Sequence, residues 1–156
     1  MKKILAGLIA GILLTGLILF YSSPSLFFLE NKSKYDFETT IEEFKKSVAD
    51  AGWKIPHVNN LQATLDKFGY DVHKVMVFEV CQPDHANNIL SHDDERIVSS
   101  LMPCRVAIYE KSDGVVYVSR LNSGMMAKPM NKIIRSTMRD ASRETEEILK
   151  SVIGNS

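Results

Sequence analysis

Arg105-Val106-Ala107-Ile108-Tyr109-Glu110-Lys111-Ser112-Asp113-Gly114-Val115-Val116-Tyr117-Val118-Ser119-Arg120-Leu121 is the stretch whose reading decides the fold. Two β-rich runs, Arg105 to Glu110 and Val115 to Leu121, flank Lys111-Ser112-Asp113-Gly114. Asp-Gly between such runs signals a β-hairpin, since glycine accepts the positive φ of a tight turn. A hairpin implies antiparallel pairing, and the segments around it supply further strands and the helices to cover them. Val72 to Val80 is β-rich and apolar on both faces, the pattern of a central strand. Trp53 to Val58 reads as extended, with Pro56 restricting it to a short or edge strand.

The helices are read from spacing and end signals. Thr40-Ile41-Glu42-Glu43 has the form of a capping box. Ile41, Phe44 and Val48 then recur at helical spacing and Gly52 suits a helix end, so Thr40 to Ala51 is predicted helical. Leu61, Leu65 and Phe68 mark a second helix ending at Gly69. Pro83 to Leu90 reads as a short helix with proline near its start. A long last helix is predicted from Pro129 to Val152, with Ile134, Met138, Ala141, Ile148 and Val152 as its apolar stripe. This order argues for an α+β fold, a mostly antiparallel sheet packed by helices.

The N-terminus is a different kind of segment. Lys2 and Lys3 precede an uncharged, mostly apolar run from Ile4 to Phe20, and a second apolar burst, Leu26 to Leu29, follows. The first run would span roughly 26 Å as a helix, close to a bilayer's hydrocarbon core of about 30 Å. It is longer than an ordinary signal-peptide core, and no Ala-x-Ala cleavage site follows it, although Ser23 and Ser25 are small. An uncleaved transmembrane helix is therefore expected. The lysines place the N-terminus in the cytoplasm and the domain in the periplasm or cell exterior, on the inner (cytoplasmic) membrane. Cleavage at Ser25 would leave the domain secreted or periplasmic. Gly7 and Gly11 form a small-xxx-small pair of the kind that dimerises membrane helices, so a homodimer is one expected partner state. The resulting division is an anchor or signal segment over 1–29, a polar tether over 30–36 and an exported domain over 37–156.

Lys plus Arg number 19 and Asp plus Glu number 19, which gives no electrostatic case for nucleic acid. No Cys-x-x-Cys-His, His-Glu-x-x-His or Gly-rich phosphate loop is present.

Several segments resemble the domain-of-unknown-function 302 family (DUF302): Asn60 to Leu65, Phe78-Glu79-Val80-Cys81-Gln82-Pro83, Ser99 to Glu110 with its Met-Pro-Cys-Arg core, and Ser119 to Ala127. The resemblance runs from about Tyr35 to Ile153. It implies a small α+β domain of TATA-binding-protein-like topology, and a fold likeness of that kind carries no DNA binding with it. Relatives often have His-Asp where this chain has Asn59-Asn60. No catalytic residues follow from the resemblance.

Candidate sites centre on the two cysteines. Cys81 ends one predicted strand and Cys104 begins another, so a disulfide between them is expected if those strands are antiparallel neighbours. Closing that loop would stabilise by about 3 kcal/mol in the chain-entropy model. A second reading is a shared binding site. Cys81, His85, Met102, Cys104, Met125 and Met126 offer soft sulfur and imidazole donors suited to a metal or haem. A third is thiol redox chemistry, since Cys81 precedes the Pro83 helix and Arg105 adjoins Cys104. On the last helix, Lys132, Arg135, Arg139 and Arg143 share one face, suited to anionic lipid or an acidic protein partner. Arg143 is expected to pair with Glu147. Asp93-Asp94-Glu95 reads as a solvated loop or first-turn acids. The leading expectation is non-catalytic binding of a small ligand, metal or haem near Cys81, Met102 and Cys104. The alternatives are a structural or interaction module and a thiol redox enzyme.

Overall fold

The computed structural model describes residues 2–154, and in the first helix it leaves out the side chains of residues 2, 3, 5, 6, 10 and 19–25. The elements in chain order are α1 (Lys2–Phe27), β1 (Phe28–Lys32), α2 (Phe37–Asp50), β2 (Lys54–Asn60), α3 (Leu61–Asp66), β3 (Val75–Cys81) and α4 (Pro83–Leu90). A 3-10 helix (Asp94–Leu101), β4 (Cys104–Glu110), β5 (Val116–Leu121), α5 (Ser123–Met126) and α6 (Lys132–Leu149) complete the chain. The strands form one sheet in the order β1-β5-β4-β3-β2, with every neighbouring pair antiparallel. The fold is therefore α+β, as the hairpin predicts.

The sheet is covered by helices on one face. Phe78 and Val80 of β3, Val106 and Ile108 of β4, and Val116 and Val118 of β5 alternate inward and are buried. They meet Phe37, Ile41, Phe44 and Val48 of α2, and Ala141, Ile148 and Leu149 of α6. The inward positions of a strand repeat every two residues and those of a helix every three to four, so each element buries one stripe. Phe44 and Phe78 meet edge to face with centroids 5.3 Å apart. Pro56 lies in the edge strand β2, beside a register shift between Lys54 and His57. Gly52, Gly69 and Gly114 close turns at positive φ.

Three expectations need correction. The first is the α2 start. Asp36, not Thr40, caps the helix, its carboxylate accepting from Thr39 N at 2.9 Å. Thr40 is buried inside the helix and its hydroxyl donates to Asp36 O at 2.6 Å. The second is the tether over residues 30–36. Phe28–Lys32 is an edge strand paired with β5, with Leu29 and Asn31 facing inward opposite Arg120 and Val118. Beyond it, Ser33 N donates to Val116 O and Lys34 N to Val152 O, both at 2.8 Å. Composition reads as a linker there because the outward residues, Glu30 and Lys32, are charged. The third is the last helix, which begins at Lys132 behind an Asn131 cap rather than near Pro129.

Residues Lys2–Phe27 form one helix, which includes the Ile4 to Phe20 run expected to cross a membrane. Part of that run lies outside the described side chains, and among the described residues no helix is long and apolar enough to cross a membrane. The helix passes into β1 without an intervening loop.

On the uncovered sheet face, Tyr109 and Tyr117 face each other across the hairpin with ring centroids 6.0 Å apart. Lys111 Nζ lies 3.7 Å from the Tyr117 ring centre. Glu30 accepts from the Tyr109 hydroxyl and, at 3.0 Å, from Lys111 Nζ. The Tyr109 bond, then Lys111, holds the Glu30 carboxyl below its usual range. The cluster fastens β1 to the hairpin.

Candidate functional site

Packing α4, the 3-10 helix, α5 and α6 against one end of the sheet leaves a cavity of about 260 Å³ between them. Cys81 and Cys104 reach it from the ends of β3 and β4. Met102 lies on the segment entering β4, and Met126 on the short helix α5. His85 comes from α4, whose first turn is ordered by Gln82, its side chain accepting from His85 N at 3.0 Å. Five of the six candidate ligand residues therefore line one space. Met125, the sixth, is not among the lining residues.

Among the described residues, no three His, Cys, Asp or Glu side chains are grouped to hold a metal ion. His85 is turned to α6, its Nε2 lying 3.1 Å from Glu144 Oε1. The other Glu144 oxygen accepts from Trp53 Nε1 at 3.1 Å. The Trp53 and His85 rings meet edge to face at 6.1 Å. One carboxylate thus fixes both rings at one wall.

The opposite wall holds a buried charge. Arg120 occupies an inward position of β5 and is 7% exposed. Its Nε donates to Glu146 Oε1 at 2.9 Å, a second nitrogen donates to Glu146 Oε2, and a third donates to Asn31 Oδ1 at 2.5 Å. Charge is neutralised at this end, and the rest of the lining is largely apolar, including Ile89, Leu101 and Met138. Gly124 lets α5 approach α6 closely, since a Cβ there would lie 3.2 Å from Ser142 Oγ. Gly124→Val is expected to lower unfolding stability by about 1–3 kcal/mol through overpacking. A loss of less than a few tenths in chemical denaturation would mean that the α5–α6 contact yields freely.

Both cysteines are free thiols in this structure. Cys104 lies opposite Val80, while Cys81 pairs with Lys54 on the other side of β3. The strands are the antiparallel neighbours that the disulfide expectation requires, but the cysteines are one step out of register. Burial pushes the Cys81 thiol above its usual range. Burial, then the neighbouring Cys81, does the same to Cys104. Neither thiol is lowered as the α4 start and Arg105 led one to expect, and Arg105 instead lies 3.6 Å from Glu79. A raised pKa leaves less thiolate at neutral pH. Iodoacetamide is therefore expected to label both cysteines more slowly than free cysteine at about pH 7.5, with the rate still rising beyond about pH 8.5. A labelling rate that levels off below neutral pH would contradict this.

The other candidates lie elsewhere. Lys132, Arg135, Arg139 and Arg143 are all exposed on α6. Glu147 pairs with Lys150 at 2.7 Å rather than with Arg143. Asp94 and Glu95 fall in the first turn of the 3-10 helix, and Glu95 accepts from Asn131 Nδ2 at 3.0 Å.

Sequence reasoning missed Trp53, Arg120 and Glu146 as cavity residues, and Glu144 as the carboxylate that holds Trp53 and His85. Only Arg120 carried a signal. Along Val116-Tyr117-Val118-Ser119-Arg120 the inward positions alternate as Val116, Val118 and Arg120, and an arginine facing inward needs a buried partner.

An α+β domain with a helix-covered antiparallel sheet and an apolar cavity at one sheet end defines the class. The chain belongs to the DUF302 family, described as a domain of unknown function, which it matches over residues 29–155. The fold is similar to the crystal structure of an uncharacterized conserved DUF302 protein from Bacillus stearothermophilus, with a TM-score of 0.72 and 19% identity. That likeness covers 81% of this chain and 98% of the other. No protein of curated function matches this chain.

Proposed function

We propose that this domain binds a small, largely apolar ligand without transforming it, and that α1 holds it at the outer face of the cytoplasmic membrane. The observation that carries the reading is the cavity of about 260 Å³ that gathers Cys81, His85, Met102, Cys104 and Met126. Ligand sites are concave and mostly apolar, with a few fixed polar groups that set orientation. Here His85, held by Glu144, and the Arg120–Glu146 pair supply those groups. An organic ligand fits the lining better than a metal or haem, because the one imidazole is already directed at Glu144. Catalysis by a thiol would need a base within hydrogen-bond reach, and among the described residues neither thiol has one.

The experiment is mass spectrometry of organic extracts from the purified full-length chain and from Ser142→Phe, which fills the cavity. A small molecule present with the first and depleted with the second supports the reading. Equal recovery from both, with Ser142→Phe folded, counts against it.

A second reading, an interaction module, is favoured by one observation. Phe68 and Tyr70 are 72% and 64% exposed beyond α3. Under that reading a partner covers these rings, and the cavity residues serve packing alone.

A further inference from the structure

The cavity and α1 lie at the same end of the sheet. The register places Phe28, Leu121, Cys104 and Cys81 at that end, with Asn60, Glu110 and Lys32 at the other. The link is direct: Asn122 N donates to Phe27 O at 2.8 Å, joining the last turn of α1 to the residue that caps α5. Leu121, Ser123 and Met126, on either side of that bond, line the cavity. Leu26, Phe27 and Phe28 are exposed around the junction, at 40%, 41% and 59%. Leu and Phe side chains are suited to burial at the boundary of lipid headgroups and acyl chains. Because α1 runs into β1 without a loop, a membrane-held α1 sets one end of the domain toward the bilayer under the proposed function, and that end holds the cavity.

We infer that the ligand is a single-chain lipophile taken from the bilayer, entering between the base of α1 and α5. The inference rests on the proposed binding function and adds the source and class of the ligand. A molecule partitioned into lipid meets the apolar junction before it meets water, and transfer into an apolar cavity preserves its separation from water. The largely apolar part of the lining favours an apolar guest. The chain's single tryptophan, Trp53, lines the cavity and is 4% exposed, so it reports occupancy.

The test places the full-length chain in phosphatidylcholine vesicles and follows Trp53 emission with three brominated probes. Dibromostearic acid carried in the vesicles is expected to quench Trp53 saturably. Brominated phosphatidylcholine, whose two chains stay in the bilayer, is expected to leave emission unchanged. Ser142→Phe and Ala86→Leu, which reduce the cavity, are expected to weaken the stearate effect. Equal quenching by the phospholipid overturns the inference, since Trp53 would then simply be near lipid. Persistent stearate quenching in both folded variants overturns it too, by placing the probe elsewhere. Saturable quenching by water-borne bromoethanol with none by stearate overturns the lipid source while leaving a binding cavity. Absence of saturable quenching with any probe overturns both the inference and the binding function.

Discussion

Phe44→Ala is expected to lower the unfolding free energy by about 3–5 kcal/mol, the usual cost of deleting a buried aromatic ring. Phe44 is fully buried at the centre of α2 and packs edge to face on Phe78 of β3. Its ring joins the helix to the sheet, and the surrounding inward valines of β4 and β5 are held by the strand ladder. They cannot collapse far into the space left behind, so the cavity cost adds to the transfer cost. Phe44→Leu keeps most of the volume and is expected to lose clearly less. Urea unfolding followed by Trp53 emission reads both variants. Equal losses for Ala and Leu would mean that the site relaxes freely and that the α2–sheet contact is looser than this packing implies.

The second large effect is at Glu146. Removing its carboxylate leaves the Arg120 guanidinium buried beside the neutral Asn31 side chain, with its counter-charge gone. Breaking a buried pair from one side costs about 3–5 kcal/mol. The Glu146 side chain is 34% exposed, so water replaces part of what is lost, and Glu146→Ala is expected to cost about 2–4 kcal/mol. Replacing both residues removes the stranded charge. The double variant Arg120→Met with Glu146→Leu is therefore expected to be more stable than Glu146→Ala alone. If the double variant is the less stable, the ion pair contributes more than its desolvation cost, and the cavity wall depends on it.

The fold was legible where periodicity and turn chemistry agree. The Asp113-Gly114 turn, Pro83 at the start of α4 and the α2 stripe each correspond to an observed element. The misplacements come from residues whose side-chain chemistry has two uses. Thr40 fits a capping box in sequence, yet its hydroxyl bonds back to Asp36 O within the helix. Glu30 and Lys32 look like a solvated linker, but alternation hides that their neighbours Leu29 and Asn31 face inward. The site was partly legible for a related reason. Cys81, His85, Met102 and Cys104 flank strand ends, and strand ends at one edge of a sheet come together in space. Trp53 and Glu146 reach the cavity, and Glu144 reaches the Trp53 and His85 rings, through tertiary packing, which leaves no mark at any fixed spacing.

The central claim is that the cavity is a site for an apolar ligand, and methionine-methyl NMR with dissolved xenon tests it most directly. Met102, Met126 and Met138 line the cavity, whereas Met76 lies on β3 toward the other end of the sheet. Saturable shifts of the Met102, Met126 and Met138 methyl signals, with Met76 unmoved, are the predicted result. Weak shifts of similar size at all methyl groups, with no saturation, would contradict it.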